Sequence, residues 1–140
     1  MALSNVPVFV QTPNRGIYQY TNGNGTTAET LYTAATNGSK VTAIIATSTD
    51  TSNRTFNIFL HNGSTSYLLA TAIVPASSGL DGSTPSVNCL NSGLIPGLPV
   101  DNDGQQYLFL VSGDTIQVQL TTSSVTSGKF VNFYAVAGDF

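Results

Sequence analysis

The sequence predicts an all-β fold, an antiparallel sandwich of two sheets of the jelly-roll type, and three observations carry that expectation. Hairpin-type turn signals are dense: Asn22-Gly23, Asn24-Gly25, Asn37-Gly38, Asn62-Gly63, Asp81-Gly82, Asp103-Gly104 and Ser112-Gly113 place residues that tolerate positive φ where tight turns need them. Between these marks lie short runs rich in Val, Ile, Thr, Tyr and Phe, the side chains that suit a pleated, half-buried surface. No segment holds an apolar stripe of 3.6-residue period over three turns with caps at its ends. A chain of 140 residues has room for one ordinary domain, and roughly eight to ten short strands in such a domain fit a two-sheet sandwich.

The strands follow in order. Weak runs at Val6 to Val10 and Gly16 to Thr21 sit among Pro7, Pro13 and the glycines from Gly16 to Gly25. Residues 1–28 are therefore set apart as an extended N-terminal arm that docks on a partner or as the first edge strand, and residues 29–140 as the sandwich domain. Glu29 to Ala34 is a further weak run. Lys40 to Thr47 is apolar on both faces over part of its length. In Thr55 to His61, Phe56, Ile58 and Leu60 alternate with Thr55, Asn57 and His61, and Phe59 interrupts the polar face. Ser66 to Val74, Gln106 to Val111 and Lys129 to Ala137 are again two-sided, which requires cover on both faces. In Thr115 to Thr121, Ile116, Val118 and Leu120 face one way and Gln117 and Gln119 the other. The segment from Pro75 to Gly104 carries Pro75, Pro85, Pro96 and Pro99 and can hold little regular ladder beyond a weak run at Ser86 to Leu90. Its length marks it as functional or as packed against something.

Composition narrows the function classes. Charged residues are only 8% of the chain, against about 25% in an average soluble domain, which suits one copy of a packed assembly better than a free enzyme. Net charge is -3. The basic residues Arg15, Lys40, Arg54 and Lys129 are scattered singly, too few to neutralise a run of phosphates or to form a polybasic membrane anchor. No run approaches the ~18 apolar residues of a membrane helix. Met1 to Asn5 lacks the basic-then-apolar pattern of a secretory signal, so none is expected. Cys89 is the one cysteine; it excludes an intrachain disulfide and reads as a small buried apolar side chain.

Catalytic patterns are missing. The single histidine, His61, precedes Asn62-Gly63 and reads as a turn residue, not as the base of a Ser-His-Asp arrangement. No phosphate loop, dinucleotide fingerprint or Gly-x-Ser-x-Gly elbow occurs. Asp101-Asn102-Asp103-Gly104 resembles the opening of a calcium loop, but its twelfth position is Ser112, where a bidentate Glu is needed; a tight turn explains the tetrad more simply. Of the seven acids, six lie in apparent turns, and the absence of Trp weakens a sugar-binding platform. The expectation is a non-enzyme without cofactor, metal or nucleic-acid partner.

A more specific pattern lies in the C-terminal third. Tyr107-Leu108-Phe109-Leu110-Val111-Ser112-Gly113-Asp114-Thr115-Ile116-Gln117-Val118-Gln119-Leu120 is strand, Gly-Asp turn and strand, and Thr126-Ser127-Gly128-Lys129 leads into Phe130 to Ala137. With Gly38 to Thr47 and Arg54 to Leu60, this pattern over residues 29–140 resembles the jelly-roll cement, or decoration, proteins of tailed bacteriophages. The resemblance implies a virion protein made in the bacterial host cytoplasm and bound to the outer capsid surface. There it would clamp neighbouring major capsid subunits against genome pressure as a homodimer or a trimer. A receptor- or carbohydrate-binding virion module and a tail or baseplate structural protein are the alternatives. The residues expected to touch the capsid or a partner subunit are Val8, Phe9, Arg15, Tyr18 and Tyr20, the aromatic-rich set of the N-terminal segment.

Overall fold

A computed structural model describes residues 9–140; of the five expected contact residues, Val8 lies outside them. The described residues form nine strands: β1 (Thr12–Thr21), β2 (Glu29–Thr33), β3 (Ser39–Ser48), β4 (Arg54–His61), β5 (Ser66–Val74), β6 (Val87–Asn88), β7 (Leu108–Leu110), β8 (Thr115–Leu120) and β9 (Phe130–Asp139). One single-turn 3-10 helix, Asn22–Asn24, follows β1.

All pairings are antiparallel and they nest. β1 pairs with β9, β2 with β8, β3 with both β6 and β7, and β4 with β5. The first sheet runs β1-β9-β3, with β6 and β7 end to end along the far edge of β3; the second runs β2-β8-β4-β5. Outermost strands pair with each other and each inner pair follows, down to the β4–β5 hairpin. That is the jelly-roll sandwich expected from the turn spacing.

The core lies between the sheets and is filled by the period-two faces. Phe56 and Ile58 of β4, Ile116, Val118 and Leu120 of β8, Val41, Ile44 and Ala46 of β3, and Val131, Phe133 and Ala135 of β9 are all buried. An aromatic ladder crosses the two layers: the Tyr20 and Phe56 rings meet edge to face at 5.1 Å, and Phe56 and Phe133 at 4.9 Å. Such pairs add about 0.5–1.5 kcal/mol each beyond their buried area. Tyr20 keeps its hydroxyl satisfied there by donating to Thr27 O at 2.6 Å.

β1 is an edge strand whose ten residues all pair with β9. It crosses close over β2 at Gly16, where any Cβ would collide with the Leu31 carbonyl. The Pro-rich segment closes the other edge of the first sheet. β6 bonds at Ile45 and Ala46 and β7 at Ser39, Lys40 and Val41, while Cys89 and Leu90 are buried and Leu94, Ile95 and Leu98 pack on the core. The two strands are shorter than the apolar runs of Ser86 to Leu90 and Gln106 to Val111, because β3 is shared between them.

Candidate functional site

Two carboxylates, Asp50 buried and Asp139 partly buried, hold the ends of the sandwich. Asp50, fully buried, lies in the β3–β4 turn. Its Oδ2 accepts from Arg54 Nε at 2.8 Å and from the Thr126 backbone N–H at 3.0 Å; Oδ1 accepts from Thr126 Oγ1 at 2.8 Å and from the Ser52 N–H at 3.2 Å. Burial pushes its pKa up, but the Arg54 guanidinium and the Thr126 and Ser52 donors outweigh burial and hold it well below the usual carboxylate range. Asp139, at the other end of β9, accepts from Ser39 Oγ at 2.6 Å, from Tyr32 Oη at 2.5 Å and from Asn14 Nδ2 at 2.7 Å. Burial again opposes ionisation there, and these three donors again prevail, so its pKa is lowered. Both groups are saturated with donors, so neither is poised as a general acid. Their chemistry is structural: Asp50 joins two loops, and Asp139 joins β1, β2, β3 and β9.

The remaining candidate groups resolve similarly. Asp101 Oδ1 accepts from the Asp103 and Gln105 N–H groups at 3.0 and 2.9 Å, and Oδ2 pairs with Lys40 Nζ at 3.3 Å. The tetrad is thus a side-chain-capped turn. Among the described residues no group of three or more His, Cys, Asp or Glu side chains is placed to hold a metal ion, and no helix is long and apolar enough to cross a membrane. His61 Nδ1 lies 2.9 Å from Ser66 Oγ at the mouth of the β4–β5 hairpin. Cys89 is buried, and burial pushes its thiol up to about 12, which removes the reactive thiolate at neutral pH.

What the described surface offers instead is an apolar outer face on the first sheet. Pairing aligns Ile17 of β1, Tyr134 of β9 and Ile45 of β3 in one row, and Arg15, Val136 and Ala43 in the next. Ile17 is 60% and Tyr134 39% exposed. A polar row follows, with Gln19 Nε2 donating to Asn132 Oδ1 at 3.1 Å. Toward the other end Val10 sits over Gly138, where a Cβ has no room. Phe9 (71% exposed) and Phe109 (56%) flank that end, beside an aromatic cluster in which Phe109 meets Tyr107 at 4.8 Å and Phe140 at 5.8 Å.

The sequence-predicted contact residues divide across this geometry. Phe9 and Arg15 are exposed on or beside the outer face. Tyr18 is half-buried, its hydroxyl accepting from Asn24 Nδ2 at 2.8 Å. Tyr20 is wholly buried and belongs to the core, because Gly16, Tyr18 and Tyr20 share the inward parity of β1. Ile17 and Tyr134, which are outside the set expected from sequence, occupy the outward parity. The signal was the alternation itself, but β1 is apolar on both parities around Ile17-Tyr18, so its direction could not be read.

No family model matches the chain, and no curated protein matches it. Among solved structures it is similar to a chain of the cyanophage Pam1 capsid asymmetric unit, with TM-score 0.47 and 15% identity, over 97% of this chain and 91% of that one. It is also similar to a pentameric capsid protein isolated from metagenomic phage sequences, with TM-score 0.39 and 19% identity, over 90% of this chain. The chain spans 60% of the length of that pentameric protein.

Proposed function

We propose that this chain is a non-enzymatic structural protein of a bacteriophage virion, which binds the outside of the capsid and cements neighbouring major capsid subunits while associating with itself. The observation that carries the reading is the outer face of the β1-β9-β3 layer. It presents Ile17 and Tyr134 with Phe9 and Arg15 nearby, while the best-bonded carboxylates, Asp50 and Asp139, are spent inside the scaffold. An apolar row fringed by amides, hydroxyls and one guanidinium suits a protein interface. Such groups desolvate at lower cost than a field of ions. The sequence resemblance to jelly-roll cement proteins points the same way.

The test is copy number in purified virions, with binding of the purified chain to capsids that lack it. A copy number comparable to that of the major capsid protein, and binding lost in Ile17→Glu, support cementing. A count matching a tail or spike set places the chain there instead. Binding to glycans with none to capsids makes it a receptor module.

A further inference from the structure

We infer that β5 is a self-pairing edge, along which a second copy of this chain adds an antiparallel strand to the β2-β8-β4-β5 sheet. This deepens the self-association put forward above and rests on it. β5 ends its sheet and, among the described residues, pairs only with β4. An edge strand presents a row of backbone donors and acceptors at strand spacing, and the ligand that matches such a row is another strand.

The edges of this protein are treated unequally. β1 carries Pro13, Arg15 and Gly16, which discourage pairing. The far edge of β3 is occupied by β6 and β7. β2 is five residues long, contains Glu29 and is interrupted by a register shift. β5 is nine residues, Ser66–Val74, without a charge, proline or glycine. Tyr67, Leu68 and Ile73 are 54%, 56% and 59% exposed along it. Its one irregularity is the register shift opposite Ile58 and Phe59, which leaves Leu69 unpaired and Ala70 to Val74 in regular register.

That regular stretch is complementary to itself. A twofold axis at Ala72 sets Thr71 opposite Ile73 of the second copy on the outer face, and Ala70 opposite Val74 on the inner face. Every residue then keeps its own side of the sheet, and no like charges meet although each chain carries a net charge of -3. One surface suffices for both partners, as a twofold contact requires, and Thr–Ile and Ala–Val cross-strand neighbours are favourable or neutral. The five residues that overlap about this axis, 70–74, span about 17 Å, and a sheet layer is about 10 Å deep. The footprint, roughly 170 Å², is well below the ~800 Å² per partner of a stable complex. The free chain therefore associates weakly, and the contact gains strength where copies are held side by side, by effective concentration.

The experiment is sedimentation equilibrium of the full chain over a wide concentration range, with amide hydrogen exchange at both ends of that range. Ile73→Lys and Thr71→Lys place a charge on each side of the axis at exposed positions, and Thr30→Lys, exposed on β2 at the other edge of the sheet, serves as control; thermal melts verify that all remain folded. Expected are weak dimers, amide protection over residues 70–74 that grows with concentration, and a dissociation constant raised at least tenfold by either β5 variant but not by Thr30→Lys. Dimers indifferent to both β5 variants overturn the edge and leave self-association standing through another surface. A chain that stays monomeric throughout overturns both.

Discussion

Asp50 and Arg54 meet in the protein interior, Nε donating to Oδ2 at 2.8 Å, with none of the Asp50 side chain exposed. The guanidinium continues to Thr126 Oγ1 at 3.1 Å, and the Asp50 carbonyl accepts from the Ser77 N–H at 3.0 Å. Three loops at one end of the sandwich thus close on one pair. Asp50→Ala leaves the Arg54 charge half-enclosed without its partner, and the expected loss is about 3–5 kcal/mol, read by urea and thermal unfolding. A loss below about 1 kcal/mol shows that the loops hold one another without the pair.

Acid stability follows from the same two carboxylates. Asp50 and Asp139 are both held below the ordinary carboxylate value of 3.8 in the folded protein. The unfolded chain therefore takes up protons first as pH falls. Their contribution is complete above about pH 5 and is lost progressively as pH drops through the ordinary carboxylate range toward their folded values. Unfolding free energy measured from neutral pH downward falls steeply in that window, and the slope flattens in Asp50→Asn, Asp139→Asn and most in the double variant.

Gly16, the one glycine of β1, is expected to resist replacement. Its missing Cβ is the space the Leu31 carbonyl occupies, so Gly16→Ala forces β1 away from β2 at a cost of about 2 kcal/mol. Gly23, where a Cβ meets only Thr21 Oγ1 at 3.8 Å, accepts Ala with little change. Thermal melts compare the two, and hydrogen exchange over residues 12–21 shows whether the edge strand has loosened.

Tyr20 and Ile17 lie on opposite faces of one strand and separate folding from binding. Tyr20→Ala removes the first rung of the aromatic ladder and is expected to destabilise by about 3–5 kcal/mol, the range for large buried aromatics. Ile17→Glu is expected to change stability by less than about 1 kcal/mol, as exposed substitutions do, and, under the proposed cementing role, to abolish capsid binding. Melting temperature and pelleting with capsids read the two effects separately.

Cys89 is expected to resist thiol reagents in the native protein at neutral pH, since it is buried and its thiol is pushed up to about 12. Stoichiometric labelling appears only on unfolding. Rapid native labelling shows that the segment around β6 opens readily.

The strands were readable because the information is local. Phe56-Asn57-Ile58 and Ile116-Gln117-Val118 alternate cleanly, and the Asn-Gly turns separate one run from the next. What could not be read depends on partners distant in sequence. Asp50 and Asp139 looked like turn acids, and their hydrogen bonding rests on Thr126 and Arg54 for one and on Tyr32, Ser39 and Asn14 for the other. The side of β1 that faces the core is fixed by Gly16 against Leu31, a contact that no periodicity within residues 12–21 encodes. β6 and β7 are held by backbone bonds to β3, which leave almost no side-chain signature. The outer face is the most hidden feature: Ile17, Tyr134 and Ile45 lie in three distant stretches of the sequence and become one row only when three strands align.

The end-to-end placing of β6 and β7 on β3 has a consequence for how such a chain can vary. Their anchor points on β3, Ile45 and Val41, are four residues apart, about 13 Å, however long the excursion between them grows. Cys89 through Leu98 contributes to the core, but residues 102–105 at the tip are exposed. Doubling a flexible loop adds only about 0.6 kcal/mol of closure entropy. The Asn102–Gln105 tip is thus the natural graft point of the molecule, where a foreign peptide can be displayed without altering the register of any strand.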